Sequence, residues 1–316
     1  MKKVLLFPGY GSQFVGMAKE LYDESRVMQE YFEEAAQCLD INFVKTCFAS
    51  SEAELAQLSV AYPSIFLVSC ALYAMIKERG ILPDLVTGYG LGFFSAIHSA
   101  GCVTFPDGLY LLRKYAQLYQ AELKEHEYRA LSVNGLTIEQ VKEYCDEYSD
   151  DTSMIAVAAH LSPTQTTIAG HASAVEQFKT NVCGKKKVKC KEQPLGIGMH
   201  SALMQPVVEQ FTSQLPMVDI KAPKVPCMDN DQAMLVSAEQ VQDAMIKSFT
   251  HMIEWDATMN AISAYDMIVQ VGPGDRLASL AKEKYPDKMV ITVQDVDDFD
   301  QLERLIAQNS FSTETE

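Results

Sequence analysis

Asp84-Leu85-Val86-Thr87-Gly88-Tyr89-Gly90-Leu91-Gly92 is the stretch whose reading decides the fold. Residues 84–87 have the pattern of a short buried strand, three alternate glycines follow, and an apolar helical pattern runs on through Ala100. A strand, a tight glycine turn and a helix make one βα unit of a parallel sheet. A Gly-x-Ser-x-Gly sequence at such a junction forms a sharp elbow that presents its serine at the helix N-terminus. Free N–H groups there can stabilise an oxyanion. Here the central residue is Gly90, so the elbow carries no nucleophilic side chain. Taken alone, the glycines fit a plain βα turn or a phosphate loop equally well.

Working outward, Lys2 to Phe7 is an apolar run ended by Pro8-Gly9, which reads as a buried first strand and a turn. Helical patterns follow over 14–37, 52–59 and 62–79, the second opened by Ser51 with Glu54 three residues later, a capping-box pattern. Residues 266–271 form another buried strand, closed by Gly272-Pro273-Gly274, with a helix starting near Asp275. Between these lies a stretch of different character. Strand patterns at 129–133, 155–159, 165–169 and 187–192 alternate with helical patterns at 137–147 and 172–180. That β-α-β-β-α-β order is ferredoxin-like and predicts a small inserted domain. Helices at 203–214 and 238–249 return the chain to the larger body. The expected division is a large α/β subdomain of 1–126 and 196–308, a small subdomain of 127–195, and a polar tail of 309–316.

Composition sets the outer limits. The chain has 316 residues, 48% of them hydrophobic and 22% charged, which excludes a disordered chain and predicts a large core. Its 26 basic and 42 acidic residues leave a formal charge of −16, which argues against nucleic acid and against an anionic membrane surface. The longest apolar stretch, 65–76, is too short to span a bilayer and reads as a buried helix. None of the eight cysteines has a partner at zinc-knuckle spacing, so no metal site is expected. With no leader pattern ahead of the first strand, the expected setting is reducing and cytoplasmic, with the cysteines mostly packing residues.

Several segments carry a more specific signal. Phe7-Pro8-Gly9-Tyr10-Gly11-Ser12-Gln13 resembles the Phe-Pro-Gly-Gln-Gly-Ser-Gln signature of malonyl-CoA:acyl-carrier-protein transacylases. Gly88-Tyr89-Gly90-Leu91-Gly92 lies at that family's Gly-His-Ser-Leu-Gly elbow, and Met199-His200-Ser201-Ala202-Leu203-Met204 is similar to its catalytic histidine segment. Val271-Gly272-Pro273-Gly274 matches its late turn, and Ser162-Pro163-Thr164-Gln165 with Ile168-Ala169-Gly170-His171 resembles its central stretch. Order and spacing agree over residues 1 to about 295. The resemblance implies an α/β-hydrolase-like large subdomain with a parallel sheet and an inserted ferredoxin-like small one. It implies a serine that attacks malonyl-CoA, a histidine base, and transfer of the acyl group to the phosphopantetheine thiol of acyl carrier protein. An arginine pairs with the substrate carboxylate in that family.

Carried over by position, His200 is the base and Gly90 stands where the nucleophile is lost. Tyr10 and Leu91 are the oxyanion positions, acting through backbone N–H, and Arg113 is the expected carboxylate ligand. The carbonyl that orients the histidine is expected at His251. Other polar positions around the acyl site read Tyr89, Phe93, Gln117-Leu118, Ala159 and Leu161. Neither Tyr89 nor Ser201 is a convincing substitute nucleophile: the phenol has a pKa near 10, and Ser201 need not face the elbow.

Loss of a triad serine can cost about six orders of magnitude in rate. Binding and the oxyanion hole still leave about 10³–10⁴ over water. Two functions are therefore expected. One is an impaired transacylase of fatty-acid or polyketide synthesis that retains acyl-CoA and carrier-protein binding. The other is an active transferase or thioester hydrolase that uses His200 without a serine. Neither needs a metal or a dissociable cofactor. Lys185, Lys186, Lys187, Lys189 and Lys191 form the only basic cluster, either a solvated edge or a docking patch for an acidic carrier protein. A monomer is expected. The plain alternatives are a buried structural histidine at His200 and a structural ion pair at Arg113.

Overall fold

A computed structural model describes residues 1–184, 188–193 and 199–312. Two sheets organise it. The larger contains Lys3–Phe7 (β1) and Leu85–Gly88 (β2). The smaller is built mainly from Tyr128–Asn134 (β3), Ile155–Ser162 (β4), Gln165–His171 (β5) and Lys189–Glu192 (β6). Cys227–Met228 (β7) and Met234–Leu235 (β8) return to the large sheet, Ile253–Glu254 (β9) joins the small one, and Met267–Val271 (β10) and Met289–Val293 (β11) complete the large one.

The large sheet runs β11-β10-β1-β2-β7-β8, with every neighbouring pair parallel except the terminal β7–β8 hairpin. β1 sits in the middle because both of its faces are apolar, as a parallel strand covered on both sides requires. Leu5 and Phe7 enter the core shared with the helices Leu58–Glu78 and Phe105–Glu125. Val4 and Leu6 enter the core on the other face with Trp255, Leu277 and Ala281. The register pairs Leu6 with both Thr87 and Gln270, and Phe7 with Gly88. The carboxyl ends of β2, β1 and β10 therefore lie side by side, and the loops that leave them emerge together. Ligands of open α/β sheets bind at that edge.

The small sheet runs β6-β3-β5-β4 with antiparallel neighbours, the expected ferredoxin-like arrangement. Leu131, Val133 and Ile168 pack against the helices Ile138–Glu147 and Ala172–Asn181 on one face. Ala130, Ala158 and Ala169 cluster on the other. β9 adds parallel to β4, pairing Ile253 with Ala159, so a strand from the large body extends the small sheet. His160 and Glu254 reinforce this seam at 3.2 Å.

The structure differs from the sequence reading in several places. The helical pattern at 14–37 is two helices, Lys19–Glu24 and Arg26–Leu39, because Ser25 is extended and its side chain caps the second by accepting from the Met28 N–H. The break expected at 60–61 is absent. The apolar helix Leu58–Glu78 starts earlier and carries Pro63 inside it. That helix is long and apolar enough to cross a membrane by composition, and here it is buried in the core. β11 and the β7–β8 hairpin have no counterpart in the sequence reading, and the last helix, Val296–Ser312, continues past the expected start of a polar tail at 309. Cys183 and Cys190 are joined by a disulfide where packing thiols were expected, while five of the other six cysteines are buried.

Candidate functional site

Gly90 has φ +52, the left-handed conformation of a strand-to-helix elbow. Its neighbours explain why the chain can turn so tightly. A Cβ on Gly88 would strike the backbone of Gly92 and Phe93, and one on Gly92 would strike the backbone of Phe7. These two glycines press the elbow against the end of β1. The N–H groups of Gly92, Phe93 and Phe94 bond to Tyr89, Gly90 and Leu91 carbonyls at 2.9, 3.0 and 3.1 Å. The Leu91 N–H is left without a partner among the described residues.

The loop after β1 packs against the elbow. A Cβ on Gly9 would lie 3.3 Å from the Leu91 nitrogen, which places the two loops in contact. Ser12 N–H turns back to the Gly9 carbonyl at 3.3 Å, and Gly11 N–H donates to Gln13 Oε1 at 2.8 Å. The Tyr10 hydroxyl donates to the Ala56 carbonyl at 3.0 Å, so its side chain is tied away. Burial pushes that phenol up to about 12. What Tyr10 has left for a ligand is its backbone N–H, on the loop that meets Leu91 at Gly9.

His200 faces the elbow from the opposite side. A Cβ on Gly90 would lie 3.1 Å from His200 Nε2 and 3.2 Å from Ile253 Cδ1. His200 has φ +58, uncommon for a residue with a side chain, and two hydrogen bonds hold it there. Its backbone N–H donates to the Phe249 carbonyl at 2.8 Å, and its Nδ1 lies 2.6 Å from the Ser248 carbonyl. Both acceptors belong to the last turn of the helix Ala238–Thr250, where carbonyls lack intrahelical partners. A carbonyl only accepts, so Nδ1 carries the proton and Nε2 presents a bare lone pair to Gly90. The orienting carbonyl is thus that of Ser248. His251, the expected source, lies three residues on, half exposed, with its ring 3.3 Å from Asp231. Burial lowers the His200 pKa to about 4, outweighing the Ser248 bond that raises it. The ring is neutral at pH 7.

Between the two subdomains a cavity of about 590 Å³ opens onto this constellation. Gly90, His200, Tyr10 and Leu91 line its large-subdomain wall, and Ala130, Ala158, Thr167 and Ala169 its small-subdomain wall. Met199 closes one end, its sulfur accepting from the Tyr62 hydroxyl at 3.0 Å. Behind it the Tyr115 ring stacks on Tyr62 at 5.9 Å and on Phe249 at 3.9 Å.

That aromatic stack corrects the expected role of Arg113. The helix Phe105–Glu125 turns Leu111, Leu112, Tyr115, Ala116 and Tyr119 inward, and Arg113 falls on its outer face. The Arg113 guanidinium donates to the Leu39 carbonyl at 3.1 Å and lines a separate cleft with Tyr110 and Gln117. It neither forms an ion pair among the described residues nor reaches the elbow. Lys185, Lys186 and Lys187 lie outside the described residues. Lys189 and Lys191 are exposed on β6, and Lys191 reaches the cavity.

Tyr89 packs edge-on against Trp255 at 5.4 Å, and burial raises its pKa, so its phenol stays protonated near neutrality. Ser201 accepts from the Leu203 N–H at 3.4 Å and so caps a short turn. Arg276 was not singled out from the sequence. It lines the cavity and places its guanidinium carbon 6.0 Å from the centre of the Tyr89 ring. Its one sequence signal was position, two residues after Gly272-Pro273-Gly274. Among the described residues there is no cluster of metal-ligating side chains.

Residues 4–296 match the model of the acyl transferase domain family, and the chain belongs to that family. It is 29% identical over 299 residues to the malonyl CoA-acyl carrier protein transacylase of Bacillus subtilis, spanning 93% of this chain and 94% of the relative. It is 28% identical over 308 residues to the enzyme of the same name from Staphylococcus aureus, spanning 94% and 97%. The crystal structure of FabD from Acinetobacter baumannii superposes with a TM-score of 0.91 at 25% identity, over 97% of this chain and 99% of that one. A malonyl-transacylase solved in complex with its type II polyketide acyl-carrier protein gives 0.89 at 25%, over 94% and 97%. The α/β body with a ferredoxin-like subdomain is thus the architecture of the FabD structures.

The buried histidine makes a pH prediction. Its pKa is about 4 in the folded chain, against about 6.5 unfolded. As pH falls below 6.5 the unfolded state takes up a proton that the native state refuses, so stability drops until pH 4 and then levels. The gap corresponds to about 3 kcal/mol. Denaturant titrations of the wild type and His200→Ala at pH 7 and pH 4 should show the wild type losing more stability, by a difference of that order. Parallel losses would show that His200 is not buried neutral.

Proposed function

We propose that this acyl transferase family protein binds an acyl thioester at the elbow and does not take the acyl group onto itself. The relatives are malonyl-CoA:acyl-carrier-protein transacylases, and the reading places this chain beside them in fatty-acid or polyketide synthesis. It acts as a cytoplasmic monomer that meets acyl-CoA and acyl carrier protein. The observation that carries it is Gly90, which occupies the elbow with nothing to attack the thioester while the base is retained 3.1 Å from where a Cβ would stand. The Tyr10 and Leu91 N–H groups support binding of the thioester carbonyl, since both are unspent and their loops are in contact at Gly9. Phe93, Ala159 and Leu161, where the family has polar residues, are buried in apolar clusters here. The departure from the family pattern is therefore wider than Gly90 alone. With Arg113 on the outer face, selection for malonyl through that arginine is not part of the proposal.

A second reading is favoured by the space beside Nε2. A water or the carrier's thiol standing at the missing hydroxyl's place would be within reach of a neutral base. The O–H or S–H proton passes to Nε2 as the oxygen or sulfur bonds to the thioester carbonyl carbon. The C–S bond to CoA then breaks, and the proton returns to the departing thiolate. His200→Ala must abolish any such hydrolysis or transfer, and activity that survives it belongs to another group.

Incubation with malonyl-CoA followed by intact mass measurement separates the main reading from an ordinary transacylase. The wild type should show no covalent malonyl group and transfer none to holo acyl carrier protein. Gly90→Ser should gain the adduct once His200 and Ile253 give way slightly. A side chain at this positive φ costs about 1–2 kcal/mol, so the variant should melt a few degrees lower. An adduct on the wild type would sink the proposal. Docking of an acidic carrier is assigned to Lys189 and Lys191 on β6, with the neighbouring lysines. Lys189→Glu with Lys191→Glu should weaken carrier binding, more so at low salt; unchanged affinity removes that surface.

A further inference from the structure

We propose that Arg276 is the anion-binding residue of the elbow cavity. It receives an oxyanion carried by the thioester, either a free carboxylate on the acyl group or a phosphate on the CoA or phosphopantetheine arm. The inference rests on the reading that the cavity holds an acyl thioester.

Its basis is a difference between the charged groups that face the cavity. Two acids, Glu52 and Glu192, are already committed. Glu52 accepts from the Val15 N–H at 3.1 Å, and Glu192 pairs with Arg129 at 3.4 Å and Lys179 at 3.6 Å. Arg276 faces the same space and has no carboxylate partner among the described residues. Of the two cations that face the cavity, Lys191 lies on β6 and Arg276 lies on the elbow side, beside Tyr89. The fold also places it well. Arg276 begins the helix Arg276–Lys284, directly beyond the loop that leaves β10. That loop emerges beside those bearing Tyr10 and Gly90, because β10, β1 and β2 are neighbours in register.

The Tyr89 ring gives the guanidinium a platform. Tyr89 immediately precedes Gly90 and is braced by Trp255. A guanidinium resting on an aromatic face keeps its N–H fork free for a planar or tetrahedral oxyanion. The cation thus faces the ring of the residue that precedes Gly90, whereas Arg113 lies on the outer face of its helix. Anion recognition then falls to the start of the helix after β10 and not to the helix after the elbow.

Calorimetric titration with four thioesters tests it: malonyl-CoA, acetyl-CoA, malonyl-pantetheine and acetyl-pantetheine. Losing a charge-assisted fork should weaken binding about tenfold or more. If the anion is the carboxylate, Arg276→Gln weakens both malonyl ligands and leaves both acetyl ligands unchanged. If it is a phosphate, Arg276→Gln weakens both CoA ligands and leaves both pantetheine ligands unchanged. Either pattern supports the assignment and names its source, and Arg276→Lys should recover only part of the loss. Arg113→Gln serves as the control and should bind as the wild type does. Equal affinities of Arg276→Gln and wild type for all four ligands overturn the inference while leaving thioester binding intact. Failure of the wild type to bind any of the four overturns both.

Discussion

Everything at the site depends on three parallel strands ending at the same level. β2, β1 and β10 are paired so that Phe7 lies beside Gly88 and Leu6 beside Gln270. Their loops must therefore share one small volume at the carboxyl edge of the sheet. Gly88, Gly92 and Gly9 let backbone meet backbone there, with no room for a single additional carbon at each. The closeness brings together two loops that each keep an unspent N–H, at Tyr10 and at Leu91. None of this requires a nucleophile. The elbow is a packing solution of the sheet edge, which is why its shape persists around Gly90.

His200 is held by a separate device. The frayed end of a helix offers unpaired carbonyls, and the histidine takes two in succession through its backbone and its ring. That fixes the tautomer, aims Nε2 at the elbow, and keeps a non-glycine residue at positive φ. Burial then makes the charged ring costly and holds it neutral. The neutral imidazole, the unspent N–H groups and the cavity are thus consequences of packing, and none of them depends on a side chain at position 90.

Much of this was legible in the sequence because it is written in glycines, prolines and alternating apolar residues. The β-α-β-β-α-β insert and the paired loops at 8–11 and 88–92 follow from local pattern alone. What escaped was set by packing at long range. Two-residue strands such as β7, β8 and β9 leave no periodicity to read. Arg113 could be placed on a helix from sequence, but which face it occupies depends on the helix phase. The stack of Tyr115 on Tyr62 and Phe249 fixes that phase. The Ser248 carbonyl was missed for a related reason: a backbone acceptor has no sequence signature. Arg276 opens a helix, and its partner in space, Tyr89, is far away in sequence.

On the proposed function, the elbow binds a thioester carbonyl in the oxyanion position without reacting with it. A crystal structure of the wild-type protein soaked with a sulfur-to-methylene analogue of an acyl-CoA tests this most directly. The account predicts the ligand carbonyl oxygen within hydrogen-bonding distance of the Tyr10 and Leu91 N–H groups, with His200 Nε2 facing the carbonyl carbon across Gly90. A carbonyl lodged elsewhere in the cavity, with those two N–H groups left unused, would contradict it.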